Sequence, residues 1–436
     1  MSYIIFQIAF FCILLFLVFK HNKSGVSKMI LVEWIVSSVF TYIYTYFALQ
    51  GRTSFNFLPV LYWDVCYLIY LFPILGIKIK TIETSYKFIN YSIVILTFLG
   101  VLSLVPLSEN LIYLVRNYSA QSSSILEMYE DKMDVDNKVN LISWMSPIGL
   151  FLHNIISKFT YPALILFFII TTKRTYISGK RFLIIICLFA NTICFTLNGS
   201  GRGGVVEFFL VTVILFILFR KIIILKISRT MQILVLFAVV GIVSCMVVLS
   251  LIRSNSVANE GEEWIVTSLY LGEGQVNFFE DMWNCKVSAQ GDYNFSYIKD
   301  LFGFDTFTNY LERREFWNIS KVGYDPVRFY TFIGCWFADL KYFTIIFILV
   351  ISWLFHKMIK KCNGIFNPIS LFAVFVYLDI LVMGFSIFNF MIYPKFRQTI
   401  VSFIYLSILY YITKGKNNGG RNHSVLSSSV SSVQGE

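Results

Sequence analysis

Charge is scarce in this chain. Only 14% of its 436 residues are Asp, Glu, Lys or Arg, against roughly 25% in a soluble globular domain. That excludes a water-soluble fold around one core. The familiar signatures of soluble catalysis are missing too. There is no HExxH, no GxSxG and no Cys/His nucleophile arrangement. Eight cysteines are present, but six fall inside or beside apolar runs, only Cys285 and Cys335 are expected on the outer side, and no CxxC or Cys/His spacing occurs. A metal site or a disulfide framework is therefore not expected. No internal repeat is visible, and the first apolar run lacks the basic leader of a cleavable signal peptide.

What the chain has is apolar length. Hydrophobic residues make up 57%, with 45 Phe and 26 Tyr. A membrane-crossing helix needs about 20 apolar residues. Eleven stretches qualify, near 2–19, 29–50, 57–77, 88–107, 149–172, 182–198, 204–225, 230–252, 337–356, 365–388 and 396–413. The expected fold is an all-α polytopic membrane domain over residues 1–413. Its larger loops are 108–148 and 253–336, the latter partly helical, and 414–436 is a Gly-, Ser- and Asn-rich disordered tail.

The net charge of +11 reads as orientation rather than as nucleic-acid binding. Alternate loops and the tail, from Lys20–Lys28 to Lys414–Arg421, hold 20 Lys and Arg against only Glu83 and Glu436. The positive-inside rule puts that set in the cytoplasm. The N-terminus is then outside, the C-terminus inside, and the two long loops extracytoplasmic, a parity that eleven spans also require.

Ionisable residues inside spans are costly and tend to pair or to line a cavity. Here they are Glu33, Asp64, Lys158, Glu207 and Asp379. One reading is structural ion pairs, such as Lys158 with Asp64 or Glu207. The other is a polar cavity opening outward.

Three outer segments carry chemistry-bearing residues. Asn198-Gly199-Ser200-Gly201-Arg202-Gly203-Gly204 joins two spans. Its glycines, Gly201 and Gly203 among them, allow close backbone approach. The helix that follows offers N–H groups to an anion, and Arg202 offers a bidentate cation. An ordinary inter-helix turn with one interfacial Arg is the alternative. No Gly-Lys-Ser/Thr follows, so this is not a phosphate-binding P-loop. Arg253 precedes Tyr270-Leu271-Gly272-Glu273, and the segment Tyr324–Leu340 carries Arg328, Tyr330 and Asp339 among aromatics. Those rings suit sugar stacking or interface anchoring. Asp134-Val135-Asp136 looks like the DxD of nucleotide-sugar transferases but falls in an outer loop, where such donors are absent. His153 lies at the outer end of a span and serves as a base or as a structural hydrogen-bonder.

The layout resembles the oligosaccharide repeat-unit polymerases, the Wzy-type O-antigen polymerases, from about residue 180 onward. The Gly199–Gly204 turn opens a long apolar helix. One more helix leads to Arg253 and a large outer loop with Tyr270-Leu271-Gly272. The loop returns through Tyr330-Thr331-Phe332 and Asp339-Leu340-Lys341. The chain departs from the family pattern at Leu340-Lys341, where Phe-Gly is expected, and in the extra Gly201.

The resemblance, which extends in architecture to O-antigen ligases, implies a metal- and cofactor-independent glycosyltransferase in a bacterial inner membrane. It implies a donor glycan on undecaprenyl diphosphate and the next lipid-linked repeat unit as acceptor. Membrane lipid, a flippase and a chain-length regulator are the implied partners. Arg202, Arg253 and Arg328 would neutralise the departing diphosphate, with Gly201, Gly203, Tyr270 and Tyr330 lining the substrate. Asp339, Glu273 or His153 would take the acceptor proton, Asp339 being the first choice. A lipid-linked oligosaccharide flippase is the alternative, but it should show two similar halves. A membrane acyltransferase centred on His153 is a third reading.

Overall fold

A computed structural model describes residues 2–21, 23–50, 56–119, 144–173, 178–198, 202–223, 263–307, 310–324, 330–384 and 393–414. The described chain is almost wholly helical. Its helices are α1 (Ser2–Lys20), α2 (Gly25–Ile43), α3 (Phe57–Leu71), α4 (Tyr86–Ser119), α5 (Pro147–Thr171), α6 (Gly179–Asn198), α7 (Arg202–Phe219), α8 (Glu263–Glu280), α9 (Ser296–Leu301), α10 (Tyr310–Phe316), α11 (Ile319–Val322), α12 (Phe332–Leu340), α13 (Thr344–Cys362), α14 (Pro368–Met383) and α15 (Tyr393–Thr413). Two strands, β1 (Thr81–Ile82) and β2 (Ile365–Phe366), pair in parallel.

Among the described residues, seven helical stretches are long and apolar enough to cross a bilayer, which makes this an α-helical membrane protein. Gly204–Phe219 and Pro368–Met383 are apolar but shorter. The expected span 230–252 lies outside the described residues, as do Arg253, Arg328, Gly201, Asp134, Asp136 and the tail beyond 414.

Backbone groups inside a bilayer have no water to bond, so helix ends must be satisfied locally. Ser146 accepts from Gly149 N–H with Pro147 at the first helical position, and Glu109 in turn accepts from the Ser146 hydroxyl at 2.6 Å. Asn367 and Ser370 form a reciprocal cap at the start of α14. α13 ends with Lys360 and Lys361 in its last turn, where they complement the helix dipole.

The basic loops gather at one end of the bundle. Ser24 N–H donates to Leu75 O, Lys173 Nζ to Ile82 O, and Ser85 Oγ to Thr413 O. Thr81 stands opposite Ile365 in the strand pair, and Gly25 lies beside Arg220. The described parts of these segments therefore share a side, as their alternation in sequence requires.

Two expectations need correcting. The span expected at 337–356 is a broken helix. α12 stops at Leu340, Lys341 takes φ +49°, and α13 starts at Thr344. The chain doubles back so sharply that Trp336 and Phe347 meet at 5.3 Å. α12 is also not a surface element, since every residue from Phe332 to Asp339 is buried. Trp63 Nε1 donates to Thr331 Oγ1, Trp34 Nε1 donates to Leu381 O, and the Phe332 ring packs on Tyr70. The second correction concerns Lys158, which is exposed. Asp64 instead accepts from Gln7 at 2.8 Å, and Glu207 pairs with Lys395.

Candidate functional site

A buried amide chain holds Asn198, the residue that precedes the Gly-rich segment. Asn198 ends α6, and its Nδ2 donates to the backbone O (2.8 Å) and Oδ1 (3.1 Å) of Asn110 on α4. Trp144 Nε1 donates to the same Oδ1 at 3.1 Å. Asn110 Nδ2 then donates to Asn191 Oδ1 at 3.1 Å. Asn191 Nδ2 stands 3.4 Å from His153 Nδ1, and the His153 ring stacks on Phe195. Asn110 and Asn191 each accept on the amide oxygen and pass an N–H onward. The chain therefore presents a donor to Nδ1, which places the neutral ring's proton on Nε2. Arg202 and Gly203 open α7 directly beyond this anchor.

The long loop is clasped onto α12 by Asp339. Its Oδ1 accepts from Gly291 N–H (3.0 Å) and Tyr293 N–H (3.2 Å). Its Oδ2 accepts from Asn294 N–H (2.8 Å) and Asn294 Nδ2 (2.6 Å). The Ser288 hydroxyl donates to the Asp339 carbonyl, and Ala289 N–H to Ala338 O. Lys341, turned by the helix break, donates to the carbonyls of Cys285 and Lys286 at 2.9 Å each. The positive φ of Gln290 and Gly291 is what curls the loop around the carboxylate.

The next acid along, Asp292, ties the rest of the loop together. It accepts from Lys299 (2.5 Å), Trp317 Nε1 (2.9 Å) and Thr306 (3.3 Å). Arg313 lies over the Tyr293 ring at 4.5 Å. Tyr330 is buried, edge-on to Tyr324 at 5.7 Å. Burial raises the Tyr324 hydroxyl well above its usual range, so it stays protonated. Burial also raises the Cys285 thiol, opposed by the nearby Lys341 ammonium. Cys285 and Cys335 are both free thiols.

Tyr270, Gly272 and Glu273 lie on α8, which packs on the end of α2. Ser37 Oγ donates to Leu271 O at 2.8 Å, Thr41 Oγ1 to Gly272 O at 3.2 Å, and Gln275 Nε2 to Ser37 Oγ at 3.2 Å. A Cβ on Gly272 would stand 2.5 Å from Thr41 N and 2.6 Å from Phe40 O. The glycine of the Tyr-x-Gly motif thus permits two backbones to touch, as small residues do at membrane helix interfaces. Glu273, one residue on, is buried.

Sequence reasoning missed Lys395. It sits at the start of α15, just ahead of the run expected to cross the membrane, and looked like a loop residue. In the fold it enters the bundle, bonds Glu207 and Tyr161 (2.6 Å to the hydroxyl), and lies 3.7 Å from Asp379 Oδ2. The signal available was the pair of buried acids on α7 and α14, which demanded a cation.

The expected site residues thus divide. His153 belongs to the amide chain beneath the Gly-rich turn, Asp339 and Tyr330 to the clasped loop, and Glu273 to the α8–α2 contact. No protein-family model, curated protein or solved structure matches the chain.

Proposed function

We propose that this protein is a polymerase that joins lipid-linked oligosaccharide repeat units on the outer face of a bacterial inner membrane. It would cross the membrane eleven times, with the N-terminus outside. The observation that supports the reading is the meeting of the basic segments at one end of the bundle. One end collects the basic loops. If the positive-inside rule makes that end cytoplasmic, the Gly-rich turn, α12 and the clasped loop would belong to the outer face.

On that face the leaving group is a lipid diphosphate. Arg202, Arg253 and Arg328 neutralise it, aided by the N–H groups that open α7. The acceptor hydroxyl loses its proton as it attacks the anomeric carbon. Asp339 is the weaker candidate for that proton, because both its oxygens already accept two N–H bonds. A carboxylate so engaged holds the loop in place. Glu273 and His153 remain as acceptors. In the tautomer set by Asn191, His153 would first have to release its Nδ1 contact. The chemistry calls on no metal or nucleotide.

The test is glycan length in a deletion strain complemented with variants. Loss of a polymerase leaves single capped repeats on the surface. Loss of surface repeats altogether would identify a transporter and refute the reading.

A further inference from the structure

Behind the Lys395 contacts lies a small pocket, with room for roughly one water molecule. Asp379, Ser402, Tyr161 and Gln398 line it. Two of these residues are buried and carry an oxygen without a hydrogen-bond partner among the described residues: Asp379 Oδ1 and Ser402 Oγ. Lys395 addresses the other carboxylate oxygen, Oδ2, at 3.7 Å. A buried carboxylate oxygen with no donor is costly. A hydroxyl beside it with no partner repeats the same deficit. One proton and one water would answer both.

We propose that Asp379 Oδ1 is a binding site for one exchangeable proton, reached through this pocket. A lone pair on Oδ1 takes the proton from a hydronium formed on the pocket water. The neutral acid then donates to that water, which bonds Ser402 Oγ. An alkali cation fits the place less well, because the Lys395 ammonium stands on the other side of the same carboxyl group. The groups facing Asp379 are Lys395 and Ser402 from α15, Glu207 from α7, Tyr161 from α5 and Tyr70 from α3. Only Lys395 among them is cationic. The site stands independently of glycosyl transfer.

The experiment is pH-difference infrared spectroscopy of the full-length protein in lipid nanodiscs. The wild type should show a carboxylic C=O band that appears as pH falls and shifts in D2O. Asp379→Asn should lose it. Ser402→Ala should keep the band but move it to higher frequency, because the water loses its second partner. A band unchanged in a folded, monodisperse Asp379→Asn would overturn the proposal. If Asp379→Asn does not fold, an unmoved band in Ser402→Ala overturns it equally. Disappearance of the wild-type band on adding sodium at fixed pH would do the same, in favour of a cation.

Discussion

Replacing Asp339 by Asn separates a clasp from a catalytic base. The carboxylate offers two acceptor oxygens to four N–H donors: Gly291 and Tyr293 on one, the two of Asn294 on the other. Asn keeps one oxygen. Whichever way the amide turns, its NH2 faces two donors that previously had an acceptor. A buried donor left unmade costs about 1–3 kcal/mol, so the change costs roughly 2–6 kcal/mol. That is comparable with the whole stability of a small domain, and it falls on one loop. Limited chymotrypsin digestion in detergent reads the outcome. Phe302 and Phe304, 75% and 65% exposed, are cut in both proteins and serve as the internal standard. Tyr293, 3% exposed, is protected in the wild type and becomes a cleavage site in Asp339→Asn. If the variant keeps the wild-type pattern and thermal midpoint yet makes no long glycan, the clasp argument is wrong and Asp339 is the base after all.

Gly272→Ala should lower the thermal midpoint, since a methyl group 2.5 Å from a backbone nitrogen must part α8 from α2 at a cost on the order of 1–3 kcal/mol; an unchanged midpoint would contradict the packing. Arg202→Lys should shorten glycan chains nearly as much as Arg202→Ala, because a point charge does not reproduce bidentate geometry, and full-length chains from the Lys variant would speak against a diphosphate contact there. Alkaline phosphatase fused near Lys286 should be active, and an inactive fusion would sink the orientation. Cys285 should react with maleimide more slowly at neutral pH than an exposed thiol. Its raised pKa delays the reactive thiolate to higher pH, so the rate should climb through the alkaline range; a rate that levels off below neutrality would refute the burial argument.

The sequence by itself determined the apolar helices and which charged segments would meet. Hydropathy and charge are local properties that sum along a segment, so runs such as 149–172 and 182–198 announced α5 and α6 within a few residues. The Lys-rich loops likewise announced a common end before any contact between them was known. The site was legible only as residue types. That Asn198 anchors the Gly-rich turn through Asn110 depends on how α4 and α6 abut, 88 positions apart in the chain. Nothing in the order of residues says that Asp339 meets the amides of 291–294 rather than a substrate. Lys395 rather than Lys158 partners Glu207 because the start of α15 reaches α7 while Lys158 on α5 is exposed, a relation between helices that no single segment encodes. The break at Lys341 was hidden because the mean hydropathy of Phe332–Cys362 stays high across Asp339 and Lys341, so it reads as one long run. Only the packing of Phe332 against Tyr70 and Trp34, with Lys341 drawn to the carbonyls of 285 and 286, makes a turn there more favourable than a straight helix.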